Sequence, residues 1–375
     1  MQRLVFTIAV IYIGVYILKT FVGCFLYSKW DKNDSREFFL FLVSLIYISF
    51  FAVPSKSDDL YRWYANVNWY RLGAPKNYDF THKVMPVQTN AIFLYNLSMK
   101  LVAKTNNNSF LQVLWLCINY GALYYIVSDF CKTHMVKKNE INCFIVLYFG
   151  MMPYFFSLTG IRSAAISSMF ALGVYLSHFK KKKCAAYIII ILSVFVHQSA
   201  IMFMMIWCIY KIGKKRKMYR IIVGWTLAIN IAIEIAMSIP IEIFQLIGRK
   251  TYYYFYEYSN WVDIRLKIVL GILILLIYLG LHCVKHSVVK NREKAMQEYF
   301  DFFECVVLFC VGAFFNLTIF YRAVYLVAYC MFPYNYILYK RIKEQNLLSL
   351  LEVFFATGLN VYFLITLNTY VTFCV

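Results

Sequence analysis

The 375-residue sequence lacks the motifs of several common enzyme classes. It has no Gly-rich phosphate loop or Walker motif, which leaves ATP-driven transport without support, and no HExxH or GxSxG element. Its 11 cysteines are scattered singly, with no CxxC pair and no ligand-like clustering with histidine. They therefore predict packing residues and no metal site. We expect no cofactor.

Charged residues are also scarce. They make up 15% of the chain, whereas 62% of the residues are hydrophobic and 20% are aromatic. The mean hydropathy is +0.62. Apolar stretches of about 20 residues recur along almost the whole chain, and a helix of that length crosses a hydrocarbon core of about 30 Å. The composition predicts an all-α, polytopic integral membrane helical bundle, with a single transmembrane domain over residues 1–375.

Acidic residues number 18 against 38 Lys and Arg, which gives a net charge of +20. In a soluble protein this excess would suggest nucleic acid as a partner, but here the cations cluster in short loops between apolar segments. Such loops stay in the cytoplasm, so topology explains the charge and no nucleic-acid partner is expected. The six loops are 28–37, 129–140, 180–183, 211–220, 285–294 and 340–343.

Ten full crossings are predicted, at 4–27, 38–53, 110–128, 141–159, 162–179, 221–239, 263–284, 301–320, 323–339 and 347–373. Residues 184–210 differ, because this apolar segment has a basic loop at both ends. Both ends should therefore lie on the same side of the membrane. The segment is predicted to enter and return as two half-length helices or a re-entrant hairpin, with His197 at its tip. The first apolar run lacks a small-residue cleavage pattern, which indicates a retained helix.

Residues 86–103 are amphipathic and are predicted to form an interfacial helix, not a crossing. Their apolar face is Ile92, Phe93, Leu94, Leu97 and Leu101, opposite Gln88, Asn90, Asn96 and Lys100. The resulting topology places both termini on the external side. That side also receives the loops 54–85 and 240–262, the His197 tip, and turns at 160–162 and 320–322.

Arg162 is the first residue of the predicted crossing 162–179, and it lies on the predicted external side, where positive charge is disfavoured. Its planar fork of donors suits phosphate or carboxylate, although an arginine there also fits a contact with headgroups or a structural acid. Arg322 occupies the equivalent place between two later crossings, beside Tyr321. Two such arginines on one side favour a shared anion.

Asp58 and Asp59 open the first external loop. Paired carboxylates fit a general base for a sugar hydroxyl or one side of a divalent cation site, and acids after Ser57 equally fit a helix N-terminus. His197 is a candidate base or hydrogen-bond donor, or a core histidine. The aromatic run 252–258, which follows Arg249, fits a sugar platform or an interfacial belt.

One block has a family resemblance. The stretch GIRSAAISSMFALGVYLSHFKKKK at 160–183, followed by FVHQSAIMF at 195–203, resembles the central part of EpsG-like proteins, which belong with the Wzy-type polymerases of bacterial exopolysaccharide and O antigen. Arg162 matches the arginine that opens a helix in that family, and residues 180–183 match its basic turn. His197, Ser199 and Ala200 match its His-x-Ser-Ala element. Residues 58–61 (DDLY) are similar to its early acidic and aromatic loop.

The resemblance implies a glycosyltransferase of GT-C-like architecture in the bacterial inner membrane, with a periplasmic active face. Its donor and acceptor would be oligosaccharide repeat units on undecaprenyl diphosphate. Arg162 and Arg322 would bind the diphosphate, and Asp58, Asp59 or His197 would activate the acceptor. The other expected substrate-binding residues are Tyr61, Arg62, Tyr64, Ser199, Arg249 and Tyr321. Further partners would be membrane lipids and the chain-length regulator and flippase of the same pathway.

Three other functions remain open from the sequence. A flippase or other transporter for lipid-linked oligosaccharide would share the size and the basic loops, with charged residues inside a central cavity. A ligase that moves finished glycan onto a lipid differs only in its acceptor. A membrane acyltransferase would be expected to carry an early His and Arg pair, whereas no histidine precedes His82.

Overall fold

The structure is a computed structural model, which describes residues 2–56, 59–73, 93–197, 199–213, 264–290, 294–315, 317–342, 345–367 and 371–374. Almost all of the described chain is α-helical, so the all-α class is confirmed. The helices are α1 (Gln2–Gly23), α2 (Lys32–Ser49), α3 (Asp59–Arg71), α4 (Phe93–Ala103), α5 (Phe110–Thr133), α6 (Lys138–Met151), α7 (Tyr154–Thr159), α8 (Ile161–His178), α9 (Lys183–Val194), α10 (Ala200–Gly213), α11 (Ile264–Lys290), α12 (Lys294–Gly312), α13 (Leu317–Cys330), α14 (Phe332–Arg341) and α15 (Gln345–Leu367).

One short antiparallel ladder joins two distant parts of the chain. It consists of β1 (Ala52–Pro54), which follows α2, and β2 (Val371–Phe373), which follows α15. The ring of Phe6 in α1 also packs against Phe51 and Phe373, with centroids 5.2 and 6.3 Å away. The start of α1, the end of α2 and the end of α15 therefore meet.

The chain divides into two compact units. The first comprises Met1–Ala200 and Asn335–Val375, and the second comprises Ile201–Tyr334. The predicted crossing 221–239 and the predicted loop 240–262 lie outside the described residues.

Four of the six basic loops gather at one end of the first unit, which we name the basic end. They are the loops 28–37, 129–140, 180–183 and 340–343, the last together with the start of α15 that follows it. The contacts that join them are Lys138 Nζ to Asp34 Oδ1 (2.9 Å), Lys180 Nζ to Asp129 Oδ1 (2.7 Å), Trp30 N to Val136 O (3.1 Å), and a hydrogen bond from the Tyr27 hydroxyl to the Asn346 side chain. These four predicted loops therefore lie together at one end of this unit.

The other end of the first unit, which we name the far end, holds the β-ladder and the start of α8. Helices α1, α2, α5, α8 and α15 each run between the two ends, and α6 followed by α7 does so as a broken pair. At 1.5 Å per residue, the 18 residues of α8 span about 27 Å. Two of the described helices, α1 and α5, combine the length and the hydropathy of a membrane span.

Three predicted crossings, 141–159, 301–320 and 323–339, are interrupted among the described residues. Residues 141–159 form α6 and α7, because Met152 precedes Pro153 and adopts φ −132° and ψ 73°, outside the helical region. A residue before proline avoids the helical conformation. Residues 323–339 are similarly divided between α13 and α14, and Pro333 stands in the first turn of α14. The predicted turn at 320–322 is wrong, since these residues lie inside α13 and the preceding irregularity is a 3-10 turn at Ala313–Phe315.

The segment around His197 is divided into two short helices, as expected. Helix α9 has 12 residues and extends about 18 Å, less than a crossing needs, and the described part of α10 has 14 residues. Helix α4 has 11 residues and is also too short to cross. Its residues Phe93, Leu97 and Leu101 form the exposed apolar stripe expected of an interfacial helix.

Some tyrosine hydroxyls inside both units donate to backbone carbonyl groups. In the first unit, Tyr154 donates to Leu45 O at 2.9 Å. In the second unit, Tyr299 donates to Cys330 O at 2.7 Å and Tyr210 donates to Glu298 O at 2.9 Å. These bonds let tyrosine fill apolar interiors, because a buried hydroxyl needs a partner.

Candidate functional site

Helix α3 brings the predicted acidic and aromatic residues to the far end, directly after β1. Its buried positions Leu60, Trp63 and Val67 recur at helical spacing and attach it to the rest of the unit. Asp59 lies in the first turn and forms an ion pair with Arg62, and both side chains are about half exposed. Tyr61 is also exposed. Asp58 lies outside the described residues.

Arg162 is the second residue of α8, which begins after Gly160 at the far end. Its guanidinium carbon lies 3.7 Å from the centroid of the Trp63 ring and 5.3 Å from that of Tyr95. These are cation–π distances, and 3.7 Å is van der Waals contact with the face of the indole. Arg162 therefore rests on aromatic rings contributed by α3 and α4.

Three aromatic side chains, which we name the aromatic platform, form the support beneath Arg162: Trp63, Tyr95 and Trp115. The Tyr95 ring is fully buried, with Trp63 edge-on at 5.1 Å and Trp115 tilted at 5.5 Å. The indole N–H of Trp115 donates to Ser98 Oγ at 3.1 Å, which ties α5 to α4. The platform thus packs three helices together below one arginine.

His197 lies in the break between α9 and α10. Its Nδ1 accepts a hydrogen bond from the Ser199 backbone N–H at 3.0 Å and lies 2.7 Å from Ser199 Oγ. A backbone N–H can only donate, so Nδ1 carries no proton in this geometry. The neutral imidazole is therefore the Nε2–H tautomer, and Nε2 is a donor.

Two sets of contacts bring the His197 break to the same region as Arg162. The Leu94 N–H donates to Phe195 O at 3.1 Å, and the next residue on α4 is Tyr95 of the platform. Helices α8 and α9 also pack closely at Gly173, where an added Cβ would lie 2.6 Å from Ile190 Cγ1. Because the short 179–182 connection makes the two helices antiparallel, this register carries His197 back to the first turns of α8. His197, Ser199, Arg162 and Asp59 thus share the far end.

Tyr64 has a structural contact. Its hydroxyl donates to Gln112 Oε1 at 2.7 Å, and the Gln112 amide in turn donates to Ser49 O at the end of α2. Burial raises the pKa of Tyr64 to about 12, so the phenol is neutral at physiological pH. Burial also raises the pKa of Tyr95, while the nearby positive charge of Arg162 opposes that rise.

The remaining predicted site residues lie in the second unit or outside the described residues. Arg322 and Tyr321 lie in α13 of the second unit, where Arg322 is within electrostatic range of Tyr325. Arg249 and the run 252–258 lie outside the described residues. Within the described ranges, no group of three or more His, Cys, Asp or Glu side chains could hold a metal ion.

Tyr95, Trp115 and Gln112 were not expected at the site. Gln112 carried a signal, because it is a polar residue in an otherwise apolar run and is now fully buried. Tyr95 belongs to the predicted amphipathic helix, but it was assigned neither to the apolar face nor to the polar face of that helix. Its contacts join helices that are far apart in the chain, which helical periodicity alone does not reveal.

Comparison with known proteins gives one family. The model of the EpsG family matches residues 58–374, which include α3 to α15 and hence Asp59, Arg162 and His197. No curated protein and no solved structure matches the chain.

Proposed function

The chain belongs to the EpsG family, a family associated with polysaccharide biosynthesis in membranes, and from this premise we propose that it is a polysaccharide polymerase of Wzy type. It joins oligosaccharide repeat units carried on undecaprenyl diphosphate. The product is O antigen, capsule or exopolysaccharide. Residues 1–375 act as one transmembrane domain of about ten crossings.

The proposed orientation places the basic end in the cytoplasm and the far end in the periplasm of the inner membrane. The gathering of four basic loops supports it, because loops rich in Lys and Arg are retained on the cytoplasmic side. The half-length helix α9 then rises from the basic end and stops at His197, inside the membrane near its outer face. Backbone that leaves the helical form at such depth is tolerated where it lines a cavity or is buried in protein.

In the proposed reaction, the growing chain leaves its lipid diphosphate and moves to the non-reducing end of the next lipid-linked unit. The acceptor hydroxyl gives its proton to a carboxylate, Asp59 or Asp58, and its oxygen bonds to the anomeric carbon. The bond between that carbon and the diphosphate oxygen breaks, and the electron pair leaves with the diphosphate. Arg162 neutralises the leaving group, with Arg322 as a second candidate.

His197 acts in this scheme as a hydrogen-bond donor. The Nε2–H tautomer fits a donor to a diphosphate or sugar oxygen, whereas a base at Nε2 would need the other tautomer and would lose the Ser199 N–H bond. The observation that carries the proposal is the placement of Arg162 on its aromatic support beside this break, at the end opposite the basic loops.

Deletion of the gene in its own strain tests the function. A polymerase-deficient strain should carry glycolipid with a single repeat unit at its surface, and the wild-type gene should restore the full ladder of chain lengths. Loss of all surface glycolipid would indicate a flippase instead, and accumulation of full-length chains that are not attached to their final lipid would indicate a ligase. An unchanged ladder in the deletion strain would refute all three.

A further inference from the structure

The Arg162 side chain has a support that the reaction itself does not require. A membrane arginine that only neutralised charge could reach an anion from any rotamer, as a snorkelling side chain does. Here the guanidinium carbon lies at 3.7 Å over the Trp63 ring, and Trp63 is about 9% exposed. The indole is therefore fixed within the protein while its face meets the arginine.

We propose that Trp63, backed by Tyr95, is a positioning residue that holds the Arg162 guanidinium in place for the diphosphate of the lipid-linked substrate. This inference rests on the proposed function. It assigns to α3 a role in anion binding that is separate from the carboxylate of Asp59 on the same helix.

The geometry of a guanidinium explains how the support works. Its five N–H donors lie in one plane, and stacking on an aromatic ring engages the face of that plane. The in-plane donors remain directed sideways, where they can form paired hydrogen bonds to phosphate oxygens. Fixing the plane in advance also reduces the conformational freedom that the long side chain loses when the anion binds.

The platform fixes the ring as well as the arginine. Tyr95 contacts Trp63 edge-on, and Tyr95 is itself held from the other side by Trp115. The Leu94 N–H bond to Phe195 O then connects the platform to the His197 break. A change in Trp63 should therefore affect anion binding through Arg162, while the fold of α3 keeps its buried residues Leu60 and Val67.

Binding of undecaprenyl diphosphate to the purified full-length protein in nanodiscs tests the proposal. Trp63→Leu keeps an apolar side chain but removes the π face, and it should weaken binding by about 5- to 30-fold, the range for a partly to largely desolvated cation–π pair. Trp69→Leu is the matched control, because it makes the same change on α3 at a ring that packs against Tyr70. Its affinity should be unchanged. Undecaprenol, which has no charge, should bind all of these proteins equally.

A double-mutant cycle separates positioning from a general structural effect. In the Arg162→Ala background, Trp63→Leu should cause no further loss of affinity, whereas a loss as large as in wild type would overturn the proposal. Trp63→Phe retains a weaker π face and should recover part of the affinity, which guards against poor folding of the Leu variant. If wild type binds the diphosphate and Trp63→Leu matches Trp69→Leu, the inference fails alone. If wild type does not bind it, the proposed function fails as well.

Discussion

Arg162 and His197 are held at the far end in different ways. Arg162 is supported from below by aromatic rings, and His197 is oriented by the Ser199 backbone N–H that follows it in the chain. The first arrangement orients the plane of the guanidinium, and the second fixes the tautomer with its proton on Nε2. Both side chains therefore suit an anionic or oxygen-rich ligand.

The tautomer of His197 predicts which replacement preserves activity. His197→Gln places an amide N–H donor near the position of Nε2 and should retain polymerisation within about tenfold of wild type. His197→Ala should lose about 100- to 1000-fold, the usual cost of removing one donor to developing charge. His197→Asn keeps an acceptor for Ser199 but no donor at Nε2, so it should resemble the Ala variant. Rates measured with a lipid-linked repeat unit check this, and an Asn variant more active than the Gln variant would contradict it.

Substitutions of Asp59 and Arg62 test whether Asp59 is the general base. Both substitutions break the same ion pair, but only one removes a carboxylate. The ion pair is about half exposed, so it should contribute roughly 0–1 kcal/mol to stability. Asp59→Asn and Arg62→Gln should therefore change the thermal unfolding temperature little and by similar amounts. Asp59→Asn should slow polymerisation by about 100-fold or more and much more than Arg62→Gln, because only Asp59→Asn removes a carboxylate. Equal rates for the two variants would show that Asp59 is a structural acid or that Asp58 is the base.

Individual residues differ in how well the sequence predicted them. Arg162 was recognisable because it is a positive charge on the disfavoured side, and His197 because it lies between two basic loops. The Trp63 and Tyr95 contacts were not recognisable, since they depend on the packing of α3, α4 and α8, and many aromatic residues of a membrane protein mark its interfaces instead.

Among the helices, the pair α8 and α9 determines the position of the site. Their close approach at Gly173 sets how far α9 extends toward Arg162. A Cβ at position 173 would also meet the Ala186 carbonyl oxygen at 3.1 Å, and backbone atoms yield less easily than side chains. The contact at Gly173 fixes how α8 and α9 are aligned along their axes. A change in packing there would therefore move His197.

Substitution of this glycine tests that coupling. Gly173→Ala should destabilise the protein by about 1–3 kcal/mol through overpacking and should lower activity by shifting the His197 break. Gly121→Ala in α5 is the control, because a Cβ there meets nothing within 4 Å. It should be neutral or stabilising by up to about 1 kcal/mol, as expected for a helical glycine. Thermal unfolding of both purified variants decides the matter, and equal stability would argue against close packing at Gly173.

Helices were predicted better than their interruptions. Apolar length and charged flanks located the helices α1, α2, α5, α8 and α15 of the first unit and the break at His197. The break between α6 and α7 had a local signal, Pro153, but a prediction from the length of the apolar segment does not take proline into account. The division before α14 is similar, since Pro333 stands at its start. The 3-10 turn at Ala313–Phe315 has no proline and no charge to mark it.

At the scale of the whole molecule, the distribution of charge is the main support for orientation. Four basic loops share one end of the first unit, and Asp59, Arg162 and His197 share the other. Two exposed native cysteines lie at these ends. Cys184 follows the basic loop 180–183, and Cys374 follows β2.

These cysteines allow the orientation to be measured in the unaltered protein. A membrane-impermeant thiol reagent applied to spheroplasts should modify Cys374, and it should modify Cys184 only after the membrane is permeabilised. Cys143, which is fully buried near the basic end, should resist modification in both conditions. Peptide mass spectrometry can read each site separately. Modification of Cys184 in sealed spheroplasts would reverse the proposed orientation.

In the proposed reaction, Arg162 at the far end enables transfer of a glycan from a lipid diphosphate. The most direct measurement uses the purified protein in proteoliposomes with lipid-linked repeat units taken from a polymerase-deficient strain. Wild type should produce a ladder of chain lengths and release one undecaprenyl diphosphate for each bond formed. Arg162→Ala should produce no ladder, while Arg341→Ala, an exposed arginine at the basic end, should match wild type. A full ladder from Arg162→Ala, or none from wild type, would contradict the account.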